Sequence, residues 1–146
     1  MSEPRAEQGE PICVLVAEDD VEMLELLGRL LEEEGYRVVS ARDGHQALAR
    51  IEEGGFDLVL SDVRMPGPDG MEVLRRAMAR RLHQPVILMT AFGSIGSAVE
   101  AMRAGAYHYL AKPFNLDELL ELLRGGAEQI RQRRSIRAEA GDSPLP

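Results

Sequence analysis

Apolar positions follow two rhythms along this 146-residue chain. Runs of strand length, apolar with little interruption, recur at Ile12–Ala17, Tyr36–Ala41, Phe56–Ser61, Pro85–Thr90 and Tyr107–Ala111. Between them apolar residues return every three or four positions, the spacing that lines one face of a helix. Val21–Glu34 puts Leu24, Leu27 and Leu31 on one face and stops at Gly35. The second helical stretch turns Ala47, Leu48 and Ile51 inward and runs to Glu53, ahead of Gly54-Gly55. The third uses Met71, Leu74 and Met78, the fourth Ile95, Ala98, Val99 and Met102 before Gly105, and the fifth Leu116, Leu119, Leu120 and Leu123.

Helix-start signals agree with this division. Asp43 precedes Gln46 by three, Asp69 precedes Glu72, Ser97 precedes Glu100 and Asn115 precedes Glu118, the spacing of a capping box. Ser94 is a rival start for the fourth helix, and Phe114 with Leu119 holds the positions of a hydrophobic staple. Strands alternating with helices predict parallel strands, right-handed crossovers and a sheet covered on both faces. The expected fold is α/β, a doubly wound unit of five parallel strands and five helices. One such domain fills 11–124, with a disordered N-terminal tail at 1–10 and a helical extension and linker or tail at 125–146; no internal repeat and no second domain is visible. Gly125-Gly126 is expected to interrupt the last helix, as a joint or a frayed end, at roughly 1 kcal/mol per glycine against alanine.

Charge and cysteine usage narrow the partners. A formal charge of −8 repels nucleic acid and anionic membrane, and favours divalent cations and basic protein faces. The single Cys13 lies in an apolar run and reads as a small buried core residue in a reducing, cytoplasmic compartment. Neither a signal-peptide core nor a run of membrane-span length occurs, so no membrane is expected.

In an open parallel sheet, ligands bind beyond the carboxyl ends of the strands. Here those ends read Glu18-Asp19, Ser61-Asp62, Thr90-Ala91 and Lys112-Pro113, bringing carboxylates, a hydroxyl and an ammonium to one rim. Carboxylates about 4 Å apart repel by roughly 4 kcal/mol at an effective dielectric near 20, so such a cluster calls for a cation. Hard oxygen ligands suit Mg²⁺ or Mn²⁺. Glu18 and Asp19 then hold the metal from one side, and Asp62 touches it and serves as a carboxylate nucleophile toward phosphorus. Lys112 and the Thr90 hydroxyl meet the phosphoryl oxygens. Asp20 is the N-cap of the first helix rather than a ligand. Ser61 points to the opposite face by strand alternation.

The segments VLVAEDD, DLVLSDVRMPGPDG, PVILMTA and AGAYHYLAKPF, in this order, resemble the receiver domain of bacterial two-component response regulators over about Ile12 to Arg124. The resemblance implies a flavodoxin-like (βα)5 fold with strand order 2-1-3-4-5, phosphorylation of Asp62 by a histidine kinase or phosphotransfer protein, and Mg²⁺ bound by Glu18, Asp19, Asp62 and the backbone carbonyl of Arg64. It further implies that Thr90 and Lys112 sense and stabilise the phosphoryl group, that the Lys112-Pro113 bond is cis, and that Tyr109 is an aromatic switch. The face of the fourth helix, fifth strand and fifth helix would then serve a homodimer or another partner. Glu18 departs from the commoner aspartate at the first acidic position and lengthens that arm. TAFGSIGSAVEAMRAGAYHYLAKPFNLDELL is similar in particular to receivers of the nitrogen-regulation type, which usually precede an AAA+ ATPase and a helix-turn-helix domain. No GxxxxGK[ST] loop occurs, so any effector domain is absent from this chain.

Two other functions stand beside the signalling switch. A haloacid-dehalogenase-like phosphohydrolase needs a second acid two residues after its nucleophile, where this chain has Arg64, so only slow self-dephosphorylation is expected. A phosphate-independent pseudo-receiver would keep the fold without the chemistry, against which stands the complete set Glu18, Asp19, Asp62, Thr90 and Lys112. His45, His83 and His108 lack metal-ligand spacing and read as surface or structural. The arginine-rich stretch from Arg124 to Arg137 reads as a solvated helix end or linker.

Overall fold

The computed structural model describes residues 10–80, 84–91 and 95–141. The elements, in chain order, are β1 (Cys13–Ala17), α1 (Val21–Glu33), β2 (Arg37–Ala41), α2 (Gly44–Glu53), β3 (Leu58–Asp62), α3 (Gly70–Arg80), β4 (Val86–Thr90), α4 (Ile95–Arg103), β5 (His108–Ala111) and α5 (Leu116–Gly141). The strands form one sheet, parallel as the alternating pattern predicts, in the order β2-β1-β3-β4-β5 that the family resemblance implies.

Period-two alternation sorts the strand residues onto two cores. Cys13, Leu15, Ala17, Val59 and Leu88 face one side with Ala47 and Ile51 of α2, Val73, Leu74 and Ala77 of α3, and Ala101 of α4. Val14, Val16, Leu58, Leu60, Ile87 and Met89 face the other with Leu24, Leu27 and Leu31 of α1 and Leu119, Leu123, Ala127 and Ile130 of α5. Burial on both faces explains why β1, β3 and β4 are apolar without a break.

Strand starts fall one or two residues later than the apolar runs, because flanking residues are used elsewhere. The Tyr36 N–H donates to the Leu31 carbonyl and closes α1, and Pro85 has no N–H to give a ladder. Asp20, Asp43, Asp69 and Asn115 accept backbone N–H groups two or three residues ahead, as N-caps do.

Three local expectations differ. Helix α4 begins at Ile95, so Ser97 lies inside its first turns and is not the cap; the rival Ser94 and His83 lie outside the described residues. Among its described side chains the buried one is Ala101, whereas Val99 and Met102 are 44% and 46% exposed. A helix packing through alanine sits close to its neighbour and leaves its larger side chains outward. Most consequential is α5, which runs through Gly125-Gly126 without a break. A Cβ at Gly125 would lie 2.5 Å from the Tyr107 hydroxyl, and one at Gly126 would lie 2.9 Å from Leu58 Cδ1. Missing side chains here permit close seating of the helix, and tertiary packing overrides glycine's poor helix propensity.

Candidate functional site

Parallel strands all present their carboxyl ends to one rim, and the side chains there are placed by the backbone pairing behind them. At the end of β1 the Glu18 N–H donates to the Ala41 carbonyl of β2 at 3.0 Å, which directs the Glu18 side chain inward to 1% exposure. Asp19, the next residue, is exposed, and Asp20 caps α1. Asp62 ends β3 at 6% exposure, and Thr90 ends β4, buried. Beyond β5 the Lys112 N–H donates to the Thr90 carbonyl at 2.7 Å, and the Lys112-Pro113 bond is cis.

The connection after Asp62 folds back tightly. The Gly70 N–H donates to the Val63 carbonyl at 2.8 Å, and a Cβ at Gly70 would fall 2.6 Å from the Asp62 carbonyl oxygen and 2.7 Å from Val63 Cα. Only glycine permits that approach, so the start of α3 fixes the backbone carrying Asp62. Ser61 is buried and its hydroxyl donates to the Asp62 carbonyl at 2.9 Å.

One ligand atom from each of Glu18, Asp19 and Asp62 lies within 4.8 Å of the others. Lys112 Nζ donates to Glu18 Oε1 at 2.9 Å and to Asp62 Oδ2 at 3.3 Å. The remaining oxygens are held by backbone: Glu18 Oε2 accepts from the Asp20 N–H at 3.1 Å, and Asp62 Oδ1 from the Arg64 N–H at 3.4 Å. Arg64 itself is exposed.

The electrostatics of this group are unbalanced. Burial pushes the Glu18 carboxyl above its ordinary range and the Asp62 charge adds to that, while hydrogen bonds from Lys112 and the Asp20 N–H offset only part. Burial pulls the Lys112 ammonium down, but Glu18 and Asp62 outweigh it and hold the ammonium above its usual value. Both shifts retain protons, as expected where the carboxylates of Glu18, Asp19 and Asp62 face one lysine. A small divalent cation with a preference for carboxylate oxygen fits both the donor set and the missing positive charge.

Beside this cluster, Thr90 and Tyr109 line one recess of about 410 Å³ together with Val63, Arg64, Met65, Asp69 and Ser97. Tyr109 is half-buried against the core face of α2, α3 and α4. The strand ends pointed to Thr90 and the family resemblance to Tyr109, but neither pointed to Met65 or to the tertiary roles of Asp69 and Ser97, since these come from separate segments that no periodicity joins. His45 and His108 are exposed.

Residues 14–124 match the family described as the response regulator receiver domain. The transcriptional regulatory protein TcrA of Mycobacterium tuberculosis is 42% identical over 134 residues, covering 92% of this chain and 53% of that protein, so the chain spans about half the length of this relative. A CheY-like response regulator receiver domain protein from Methanospirillum hungatei superposes with a TM-score of 0.80 at 31% identity, over 86% of this chain and 99% of that one. The response regulator TrrA of Thermotoga maritima, solved in complex with Mg²⁺ and BeF, superposes with a TM-score of 0.71 at 36% identity, over 78% of this chain and 97% of that one.

Proposed function

The chain belongs to the response regulator receiver family, and on that premise we propose that Asp62 accepts a phosphoryl group from a histidine kinase or phosphotransfer protein. Glu18, Asp19, Asp62 and the backbone carbonyl of Arg64 are the groups that would hold Mg²⁺. The observation that carries this reading is the meeting of the Glu18, Asp19 and Asp62 carboxylates within 4.8 Å, with Lys112 Nζ 3.3 Å from Asp62.

In the proposed step an Asp62 carboxylate oxygen bonds to phosphorus while the phosphorus–nitrogen bond of a phosphohistidine breaks. The imidazole nitrogen departs with the electron pair and takes up a proton. Bound Mg²⁺ supplies positive charge against the phosphoryl oxygens. Lys112, shared between Glu18 and Asp62 before transfer, turns a donor toward one phosphoryl oxygen, and the Thr90 hydroxyl donates to another. Arg64 offers no carboxylate to activate water, so hydrolysis of the acyl phosphate is slow.

Thr90 and Tyr109 share a recess, so inward movement of the Thr90 hydroxyl makes room for the Tyr109 ring. That rearrangement alters the face of α4, β5 and α5, where Val99, Met102 and Leu116 are 44%, 46% and 41% exposed. We assign this face to a second copy or another partner protein, with any effector domain supplied outside the chain. The phosphoryl group shifts the equilibrium only by its preference for the active form. Among the described residues no helix is long and apolar enough to cross a membrane, and the proposed exchange takes place in the cytoplasm.

Intact-protein mass spectrometry after acetyl phosphate treatment, with and without Mg²⁺ and beside Asp62→Ala, tests the chemistry. The expected result is a metal-dependent, hydroxylamine-labile gain of one phosphoryl group in the parent alone. Labelling of Asp62→Ala would overturn the choice of acceptor, and no labelling under any condition would identify a pseudo-receiver.

A further inference from the structure

The end of the sheet opposite this rim carries a second arrangement of charge. On α5 the buried stripe Leu119, Leu123, Ala127 and Ile130 advances by helical steps of four, four and three. The next position on that stripe, four residues after Ile130, is Arg134. No residue from 131 to 136 is fully buried, so among the described side chains of the helix the last fully buried apolar one is Ile130.

Arg134 meets polar groups where the stripe runs out. Its Nη1 donates to the Glu10 carbonyl at 2.9 Å, and its Nη2 donates to Asp57 Oδ2 at 3.3 Å. The same Asp57 oxygen accepts the Cys13 N–H at 2.9 Å. One guanidinium therefore joins the segment entering β1, the residue just before β3 and the C-terminal half of α5, across sequence separations of 124 and 77 residues. One turn earlier Arg131 also lies against the body of the domain, with Nε buried. The Tyr36 phenol, pushed up by burial, is drawn down by the charges of Arg131 and Arg124.

We propose that Arg134 is a latch that fastens the helical extension to the amino end of the sheet. With the latch closed, residues 131–136 continue α5 as a rigid arm leaving the domain in one direction. With it open, the arm loses its fork to Glu10 and Asp57 and has no fully buried apolar side chain between 131 and 136 to replace it, so it frays and swings. A planar guanidinium suits this task because two of its nitrogens reach two acceptors at once, whereas a lysine ammonium on a flexible stem does not hold that fork. The arm is thus a part of the receiver whose direction is set far from Asp62, by a contact that breaks without disturbing either core.

Hydrogen exchange read by mass spectrometry on peptides spanning 126–136 in the full chain tests the latch, because local opening sets the exchange rate of each amide. The variants are Arg134→Ala, Arg134→Lys and Asp57→Asn. Exchange of residues 131–136 is expected to accelerate at least tenfold in Arg134→Ala and Asp57→Asn and by an intermediate factor in Arg134→Lys, while β4 peptides exchange as in the parent. Equal exchange of this segment in the parent and Arg134→Ala would overturn the proposal. Should Asp57→Asn also loosen β1 and β3, the contrast between Arg134→Ala and Arg134→Lys decides alone. No readout involves phosphorylation, so the result is independent of the role proposed for Asp62.

Discussion

Each end of the sheet holds a long-range ion pair at the same separation. Lys112 Nζ lies 3.3 Å from Asp62 Oδ2 at the carboxyl end, and Arg134 Nη2 lies 3.3 Å from Asp57 Oδ2 at the amino end. Distance does not distinguish them; the balance of charge does. At the amino end one guanidinium meets one carboxylate, and a backbone N–H and a carbonyl satisfy what remains. At the carboxyl end one ammonium serves Glu18 and Asp62, with Asp19 close by. A balanced pair holds structure together, whereas a carboxylate surplus is tolerated where an incoming cation completes it.

The sharpest way to break this contrast is to remove Lys112. In the metal-free chain Lys112→Met leaves Glu18 and Asp62 without their cation and is expected to cost about 3 kcal/mol, measured by urea unfolding, because an uncompensated buried charge remains. Millimolar Mg²⁺ should recover part of that loss; an unchanged midpoint would show that the surplus charge is not held in the folded state.

Next come the glycines seated at the two ends. Gly70→Ala drives a Cβ into the Asp62–Val63 backbone, which cannot give way, and is expected to cost about 2 kcal/mol and to slow phosphoryl acceptance. Gly126→Ala meets the tip of Leu58 at 2.9 Å and Pro85 at ordinary contact distances of 3.4 and 3.6 Å, and it gains helix propensity, so its net effect should stay within about 1 kcal/mol. Equal losses in thermal denaturation would remove the distinction between a pinned and an adjustable end.

Neutralising one acid at each end should then give opposite signs. Asp62→Asn relieves repulsion and is expected to stabilise the metal-free chain by about 1 kcal/mol while weakening Mg²⁺ binding. Asp57→Asn removes the partner of Arg134 and is expected to destabilise by about 1 kcal/mol. Matching signs in urea titrations would show that charge balance does not separate the two regions.

The smallest effect concerns Cys13. Burial pushes its thiol above the ordinary value of 9.0; the nearby Arg37 charge opposes this and the Asp57 charge reinforces it. A folded-state pKa above the unfolded one means that the thiol's contribution is intact below about pH 9 and lost as pH rises through the folded value. Stability of the parent should fall more steeply than that of Cys13→Ala as pH rises above about 9, read from urea midpoints along a pH series. Parallel curves would show that the thiolate is accommodated in the fold.

Fold and rim were legible to different depths. The parallel sheet and the residues at the strand ends follow from apolar runs alternating with helical spacing, because parallel connections leave few topologies, whereas the strand order comes with the family resemblance. Helix starts at Asp20, Asp43, Asp69 and Asn115 were equally readable, since a cap is a local contact. What local pattern missed was set by tertiary contact. The exposed Val99 and Met102 form part of an amphipathic spacing, but Ala101 decides which side of α4 is buried. Gly125-Gly126 reads as a break until Tyr107, Leu58 and Pro85 are seen packed against it. The recess between Thr90 and Tyr109, and the meeting of Arg134 with Asp57, join segments that no short window of sequence contains.

Because Arg134 donates to the Glu10 carbonyl at 2.9 Å, the segment entering β1 and the later turns of α5 lie side by side at the end of the sheet remote from Asp62. A short bridging peptide between Glu10 and Ser135 would close the chain into a ring without crossing the rim that carries Glu18, Asp19 and Asp62. New ends could then be opened at the exposed Gly54-Gly55 turn, where no core residue is lost. A circular permutant of that kind would keep every strand pairing while exchanging the order in which the elements emerge during synthesis.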